Sequence, residues 1–201
     1  MYIKTIKKVF WLYLLANAFA AQAFATIIIT EILQNPNAVS DASGEWFEVY
    51  NQGTQAVDMI GWTIKDNGAD SHVINNSVVI SAGGYAVFGS NGVANGGVTV
   101  DYIYATAISL SNGDDELILL DGSLVEIDRV EWDGGPAFPD PIGKSMTLGG
   151  LGIDNNIGSN WCEATSTFGD GDFGTPGAAN DSCSLNSSLS VNPAILIYLL
   201  N

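Results

Sequence analysis

Short runs rich in β-branched and aromatic residues, closed by turn-forming dipeptides, recur along nearly the whole chain and leave few folds open to it. Beyond residue 25, no segment longer than about ten residues places apolar side chains at i, i+3, i+4 and i+7. Amphipathic helices therefore have no apolar stripe to pack with. Runs at 26–33, 45–51, 57–66, 77–81, 85–89, 98–108, 116–121, 124–132 and 145–148 read as about nine short strands. Asn67-Gly68, Gly83-Gly84, Asn112-Gly113, Asp121-Gly122 and Gly134-Gly135 punctuate them, and each offers the positive φ that tight connections require. The expectation is an all-β domain.

Two of these runs change phase. The segments 116–121 and 124–132 join across Asp121-Gly122, which suits a type I′ hairpin turn. In the second strand, Val125 and Ile127 share one face while Val130 and Trp132 share the other. A period-2 strand does this only with an inserted residue, so a β-bulge is expected near Asp128 and Arg129. Val57 and Met59 are likewise out of phase with Ile60, Trp62 and Ile64, with Gly61 able to take the bend.

Lys4, Lys7 and Lys8 precede a run from Val9 to Ala21 that is apolar except at Asn17. The run is shorter than the roughly 20 residues of a membrane-spanning helix, and Ala23-Phe24-Ala25 follows as a small-x-small cleavage pattern. Residues 1–25 are thus expected to be a signal peptide, with a mature start at Thr26. Cleavage after Ala23 or Ala20 would meet the same rule, and an uncleaved anchor is the alternative. Export to a secreted, periplasmic or cell-surface location follows. The mature chain divides into a domain at 26–183 and a polar linker with a short apolar tail at 184–201. That tail reads either as a strand or as part of a sorting signal.

Removal of the leader leaves Lys65, Arg129 and Lys144 against 22 acidic residues, a formal charge of −19. A surface so acidic repels polyanions. Cys162 and Cys183 are the only cysteines, and an even count in an exported chain favours one disulfide. Closing that loop would stabilise the fold by about 3 kcal/mol. Two thiols and one histidine do not complete a four-ligand zinc set.

The segment GEWFEVYNQGTQAVDMIGWTIKDNG at 44–68 resembles the central signature of the lamin tail domain. IIITEILQNP at 27–36 is similar to the opening strand of that family, VISAGGYAVFGS at 79–90 to its Gly-Gly-Tyr turn and strand, and FGTPGAAN at 173–180 to the ending of secreted bacterial members. Thr30 stands where Asn is frequent, and Ser81-Ala82 where Pro is frequent. The resemblance implies an immunoglobulin-like β-sandwich, in agreement with the strand count. It implies no single function, since the fold accompanies several activities.

Within the signature, Phe47, Val49, Trp62 and Ile64 fall on the apolar phase of their strands and are expected in the core. Glu31 and Glu48 interrupt apolar strands. They read either as a catalytic carboxylate pair or as acceptors for backbone groups or Arg129. The single histidine, His72, is expected in an exposed connection, and no nucleophile elbow, phosphate-binding loop or dinucleotide fingerprint accompanies it. Asp114-Asp115-Glu116 and Asp170-Gly171-Asp172 offer hard oxygens of the kind Ca²⁺ takes, but without the full ligand spacing of an EF-hand. No catalytic residue, cofactor or specific metal ligand is assigned. The function expected is adhesion or assembly through a protein or glycan partner, without nucleic-acid binding, and the alternative is a carboxylate-dependent hydrolase.

Overall fold

Residues 27–183 are described by a computed structural model; the expected leader and the linker and tail at 184–201 lie outside the described residues. In chain order the strands are β1 (Ile27–Leu33), β2 (Trp46–Asn51), β3 (Val57–Asp58), β4 (Thr63–Lys65), β5 (Ser71–Val73), β6 (Val79–Ile80), β7 (Tyr85–Gly89), β8 (Tyr102–Ile103), β9 (Asp114–Leu120), β10 (Glu126–Asp133), β11 (Met146–Leu148) and β12 (Trp161–Glu163). A six-stranded sheet runs β12-β11-β1-β2-β7-β8, a four-stranded sheet runs β10-β9-β4-β5, and β3 pairs with β6. Among these strands only β7 and β8 pair in parallel. The result is an immunoglobulin-like β-sandwich.

Alternation explains how the two sheets share one core. Ile29, Ile32, Phe47, Val49 and Phe88 face inward from the larger sheet and meet Ile64, Leu117, Leu119, Val130 and Trp132 of the smaller one. Each fully buried side chain of this size contributes roughly 1.5–3 kcal/mol. Phe47 stacks on Phe88 at 5.1 Å and on Tyr104 at 6.0 Å.

β1 is buried at all seven positions, as its nearly continuous apolar sequence requires of a strand covered on both faces. Its outer face lies under the irregular segment that follows β12. There Leu33, Trp46, Val87 and Val98 form a second apolar cluster, closed by the edge of Phe168 against Trp46 at 5.7 Å. Gly169 fixes this covering segment in place. Its φ is +45°, and a Cβ there would fall 1.9 Å from the Gly96 carbonyl oxygen, which accepts the Asp170 N–H. Only glycine fits such an approach.

A bulge in β1 sets which face Glu31 occupies. Ile29 pairs with Val49 and Glu31 with Glu48, so Thr30 is the extra residue. Without it, Glu31 would follow Ile27 and Ile29 into the core; with it, Ile32 returns inside and Glu31 points outward. The Ile29 N–H, out of the ladder, donates to Asp128 Oδ2 of the facing sheet at 2.6 Å.

Several expectations change at residue level. The bulge of β10 falls at Ile127, since Glu126 pairs with Leu120 and Asp128 already with Leu119. The β9–β10 connection is longer than a two-residue type I′ turn. Leu124, not Gly122, takes the positive φ, and Asp121 Oδ1 accepts the N–H groups of Ser123 and Val125. Among the five dipeptides, positive φ occurs at Gly83, Gly134 and Gly135 and not at Gly68, Gly84, Gly113 or Gly122. The run at 57–66 splits because Gly61, at φ +80°, carries the chain from β3 into β4 of another sheet. Of the run at 98–108, only Tyr102–Ile103 is strand, followed by a single 3-10 turn at Ala105–Ala107.

Cys162 in β12 and Cys183 form a disulfide with a Cα–Cα distance of 5.7 Å. The bridge ties the end of the covering segment to the edge of the larger sheet. Opening it by Cys162→Ala with Cys183→Ala is expected to cost about 3 kcal/mol. Hydrogen exchange should quicken at 174–183 while β1 and β2 stay protected; faster exchange throughout the sandwich would show that the bridge holds the whole fold.

Candidate functional site

The bulge at Thr30 brings Glu31 and Glu48 side by side on the outer face of the larger sheet, on directly paired positions. Both are fully buried. The covering segment supplies their partners: Thr175 N–H donates to Glu31 Oε1 at 2.9 Å, Thr175 Oγ1 to Glu31 Oε2 at 2.8 Å, and Gly177 N–H to Glu48 Oε2 at 2.7 Å. Ser145 Oγ also donates to Glu31, and Thr30 Oγ1 to Glu48. Burial, with the neighbouring Glu31 adding to it and the donors from Thr30, Gly177 and Ala178 opposing it, raises Glu48 to about 8. Burial also raises Glu31, opposed by Ser145 and Thr175. Glu48 is thus the member that keeps its proton at neutral pH, and Glu31, raised less, is the one better able to hold a charge.

This arrangement fastens a loop, because the pair's oxygens are met by the chain's own donors. The pair accepts from backbone and hydroxyl groups and not from Arg129, whose guanidinium pairs with Glu126 at 2.8 Å and with Glu131 on the outside of β10. The other cations among the described residues are also engaged: Lys144 with Glu163 at 2.8 Å, and Lys65 with the Asp66 carbonyl.

The remaining sequence candidates disperse. Phe47, Val49 and Ile64 lie in the core, whereas Trp62 is half-buried and packs against its margin. It flanks the Gly61 bend, where the chain is still entering the second sheet. His72 sits in β5, not in a connection, and its Nε2 lies 2.7 Å from the Tyr102 hydroxyl. Asp172 is buried, and its carboxylate accepts the N–H groups of Asn37 and Ala38 at 3.1–3.2 Å. Asp115 accepts the Ser111 and Glu116 N–H groups. Among the described residues, no three His, Cys, Asp or Glu side chains group as metal ligands. No helix among them is long and apolar enough to cross a membrane.

An open cavity lies instead at one end of the larger sheet. Its volume is about 400 Å³, and it is lined by Glu45 and Ser90 from the ends of β2 and β7, by Asp41 and Ala42, and by 105–106 and 108–112. Glu45 belongs to the inward phase of Phe47 and Val49, one step beyond the strand. Its backbone carbonyl accepts the Ser90 N–H at 3.0 Å and the Tyr104 hydroxyl at 3.2 Å, and its Oε2 accepts the Leu110 N–H at 3.1 Å. Burial pushes its carboxyl up to about 7, with Asp41, Asp115 and Asp70 adding to the rise against the Leu110 bond. The Ser90 hydroxyl is buried without a hydrogen-bond partner. Ala105 in the cavity wall holds φ +55°, a conformation unusual outside glycine. The parity of Glu45 with Phe47 was visible in the sequence, but nothing local to it indicated that residues 105–112 would wall a cavity beside it.

The Lamin Tail Domain family model matches residues 20–134, more than half of the 201-residue chain. No curated protein matches it. The matched stretch contains both faces of β1 and β2 and the walls of the Glu45 cavity, while the covering segment that receives Glu31 and Glu48 lies beyond it. The chain belongs to the lamin tail domain family.

Proposed function

We propose that this domain is an exported, non-catalytic recognition module that engages a protein or glycan partner at the cell surface, and that it works without a cofactor. The observation that carries this reading is a contrast between two carboxyl sites. The pair that could have done acid–base chemistry is sealed and saturated by the chain's own donors, whereas the accessible cavity at Glu45 lies at a loop-bearing end of the sandwich. Loops at the ends of such sandwiches are where immunoglobulin-type domains place their contacts. Family membership supports an interaction or structural role as well.

Biolayer binding of the purified full chain to arrayed envelope proteins and glycans tests the reading directly, with saturable, salt-tolerant capture expected. Turnover of ester, phosphoester or glycoside substrates that disappears in Glu31→Gln and Glu48→Gln would replace it with the hydrolase reading. Nucleic acid is not among the expected partners. Phosphate contacts need clustered cations, and Arg129 and Lys144 are already paired with carboxylates. Fluorescence anisotropy with duplex and single-stranded oligonucleotides at about 50 mM salt should show no binding at micromolar protein. Salt-sensitive micromolar binding would overturn that part of the proposal.

A further inference from the structure

We propose that the cavity at Glu45 is a seat for a primary alkylammonium group, the lysine side chain of a partner protein, with Glu45 and Ser90 receiving the ammonium and the apolar wall receiving its methylene stem. The inference rests on the recognition-module reading and narrows it to one partner chemistry. Three features of the cavity select this ligand.

The first is an unused polar group. Continuing the alternation of Ala86 and Phe88 places Ser90 on the inner face of the sheet, the same face as Glu45, and the Ser90 hydroxyl is less than a tenth exposed with no partner. Buried hydroxyls are ordinarily satisfied, so one left open beside a cavity points to a donor that arrives from outside. Glu45 lies beside it with a single protein donor, the Leu110 N–H on Oε2.

Charge and shape supply the second and third. Asp41, Asp70 and Asp115 act on Glu45 with the same sign, so the site favours a cation. Oε2 already accepts the Leu110 N–H, so a compact ammonium, which needs one acceptor, competes less with that bond than a bidentate guanidinium. Ala42, Ala105, Ile108 and Leu110 give the remaining lining an apolar character that suits a four-carbon stem. A hard divalent ion needs six to eight oxygens. The cavity does not gather them, since among the described residues no three His, Cys, Asp or Glu side chains group as metal ligands. No aromatic ring lines the cavity on which a sugar face would stack. Its volume of about 400 Å³ falls within the roughly 300–1,000 Å³ of small-ligand sites and admits the stem with accompanying water.

The probe is Nα-acetyl-lysine methylamide, titrated into the full chain and followed by backbone amide NMR, beside its norleucine and arginine counterparts and CaCl₂. Saturable shifts confined to residues near 41–45, 90 and 105–112 are expected with the lysine probe only. Glu45→Gln keeps an acceptor for Leu110 and should weaken binding by about tenfold or more. Ser90→Ala should weaken it by roughly threefold to tenfold while the melting temperature stays level or rises, because the substitution removes an unsatisfied hydroxyl. A merely structural Ser90 would instead lower the melting temperature. Equal binding of the norleucine probe, shifts scattered over the acidic surface, saturable Ca²⁺ binding at these residues, or full affinity in Glu45→Gln would each overturn the seat. Capture of an envelope partner that Glu45→Gln leaves unchanged would also overturn it, while sparing the recognition-module reading.

Discussion

Raising the pH from 5 to 9 is expected to lower the melting temperature of this protein, with a large part of the loss traceable to Glu48. Burial sets the sign. The Glu48 carboxyl rises from 4.5 to about 8 in the fold, Glu45 from 4.5 to about 7 and Asp128 from 3.8 to about 6. Each therefore holds its proton more tightly folded than unfolded. Their contribution is complete below the unfolded values and is lost as the pH climbs through the folded ones. Asp181 acts oppositely: its carboxylate, bonded by Ser166 and Thr165, sits at about 2, so its contribution is lost only as the pH falls below its ordinary value. The stability maximum should thus lie near pH 4–5, on the acid side of the usual range. For Glu48 the effect is on the order of 3–5 kcal/mol between the two limits, or roughly 10 °C for a domain of this size.

Glu48→Gln isolates this group from general charge repulsion. The amide is neutral at every pH, can accept the Gly177 N–H and can donate to Thr30 Oγ1, so the variant should match the parent at pH 5 and exceed it at pH 8.5. Added NaCl at about 0.5 M should raise both proteins by screening the exposed carboxylates and leave their difference in place, since a buried group is screened far less. Identical pH slopes for parent and variant would refute the assignment of the proton to Glu48.

The larger features of the fold were legible because they rest on local chemistry. Period-2 alternation in GEWFEVYN gave Phe47 and Val49 their inward face, and the phase change between Ile127 and Val130 announced a bulge within a residue or two of its place. The disulfide followed from an even cysteine count in a chain read as exported. What stayed hidden depends on long-range company. Which segment would cover the outer face of β1 and β2 could not be read, for Trp46, Glu31 and Glu48 are covered by residues more than a hundred positions later in the chain. β5 and β12 lack apolar runs, for as edge strands they pair on one side only. His72 was assigned to a connection because Ser71–Val73 has no pattern of its own; its place comes from pairing with β4. Glu45 shared the inward parity of the core and became a site only because residues 105–106 and 108–112, distant in sequence, wall a cavity beside it.

Phe47→Ala is expected to cost about 3–5 kcal/mol, the range for removing a fully buried aromatic ring. The site has little means of collapsing into the void. Phe47 lies in the middle strand of the larger sheet, paired to Ile32 on one side and Phe88 on the other, and its ring is stacked between those of Phe88 and Tyr104. Tyr104 is held at its far end by the bond from its hydroxyl to the Glu45 carbonyl, so it cannot slide inward without breaking a buried hydrogen bond. The melting temperature should fall by about 10 °C or more. Trp62→Ala removes a larger side chain from a half-buried position at the core margin and should cost less, because part of that surface is already in water. The two variants should also differ at the cavity. Loss of the Phe47 ring frees Tyr104, and with it the Glu45 backbone, so amide exchange at Ser90 and Leu110 should quicken even well below the melting temperature. Trp62 precedes β4 of the smaller sheet and packs at the margin of the core, and its removal should leave those amides as slow as in the parent. If Trp62→Ala proves the costlier substitution, or if both variants loosen Ser90 and Leu110 alike, then the aromatic stack does not connect the core to the Glu45 end of the sandwich.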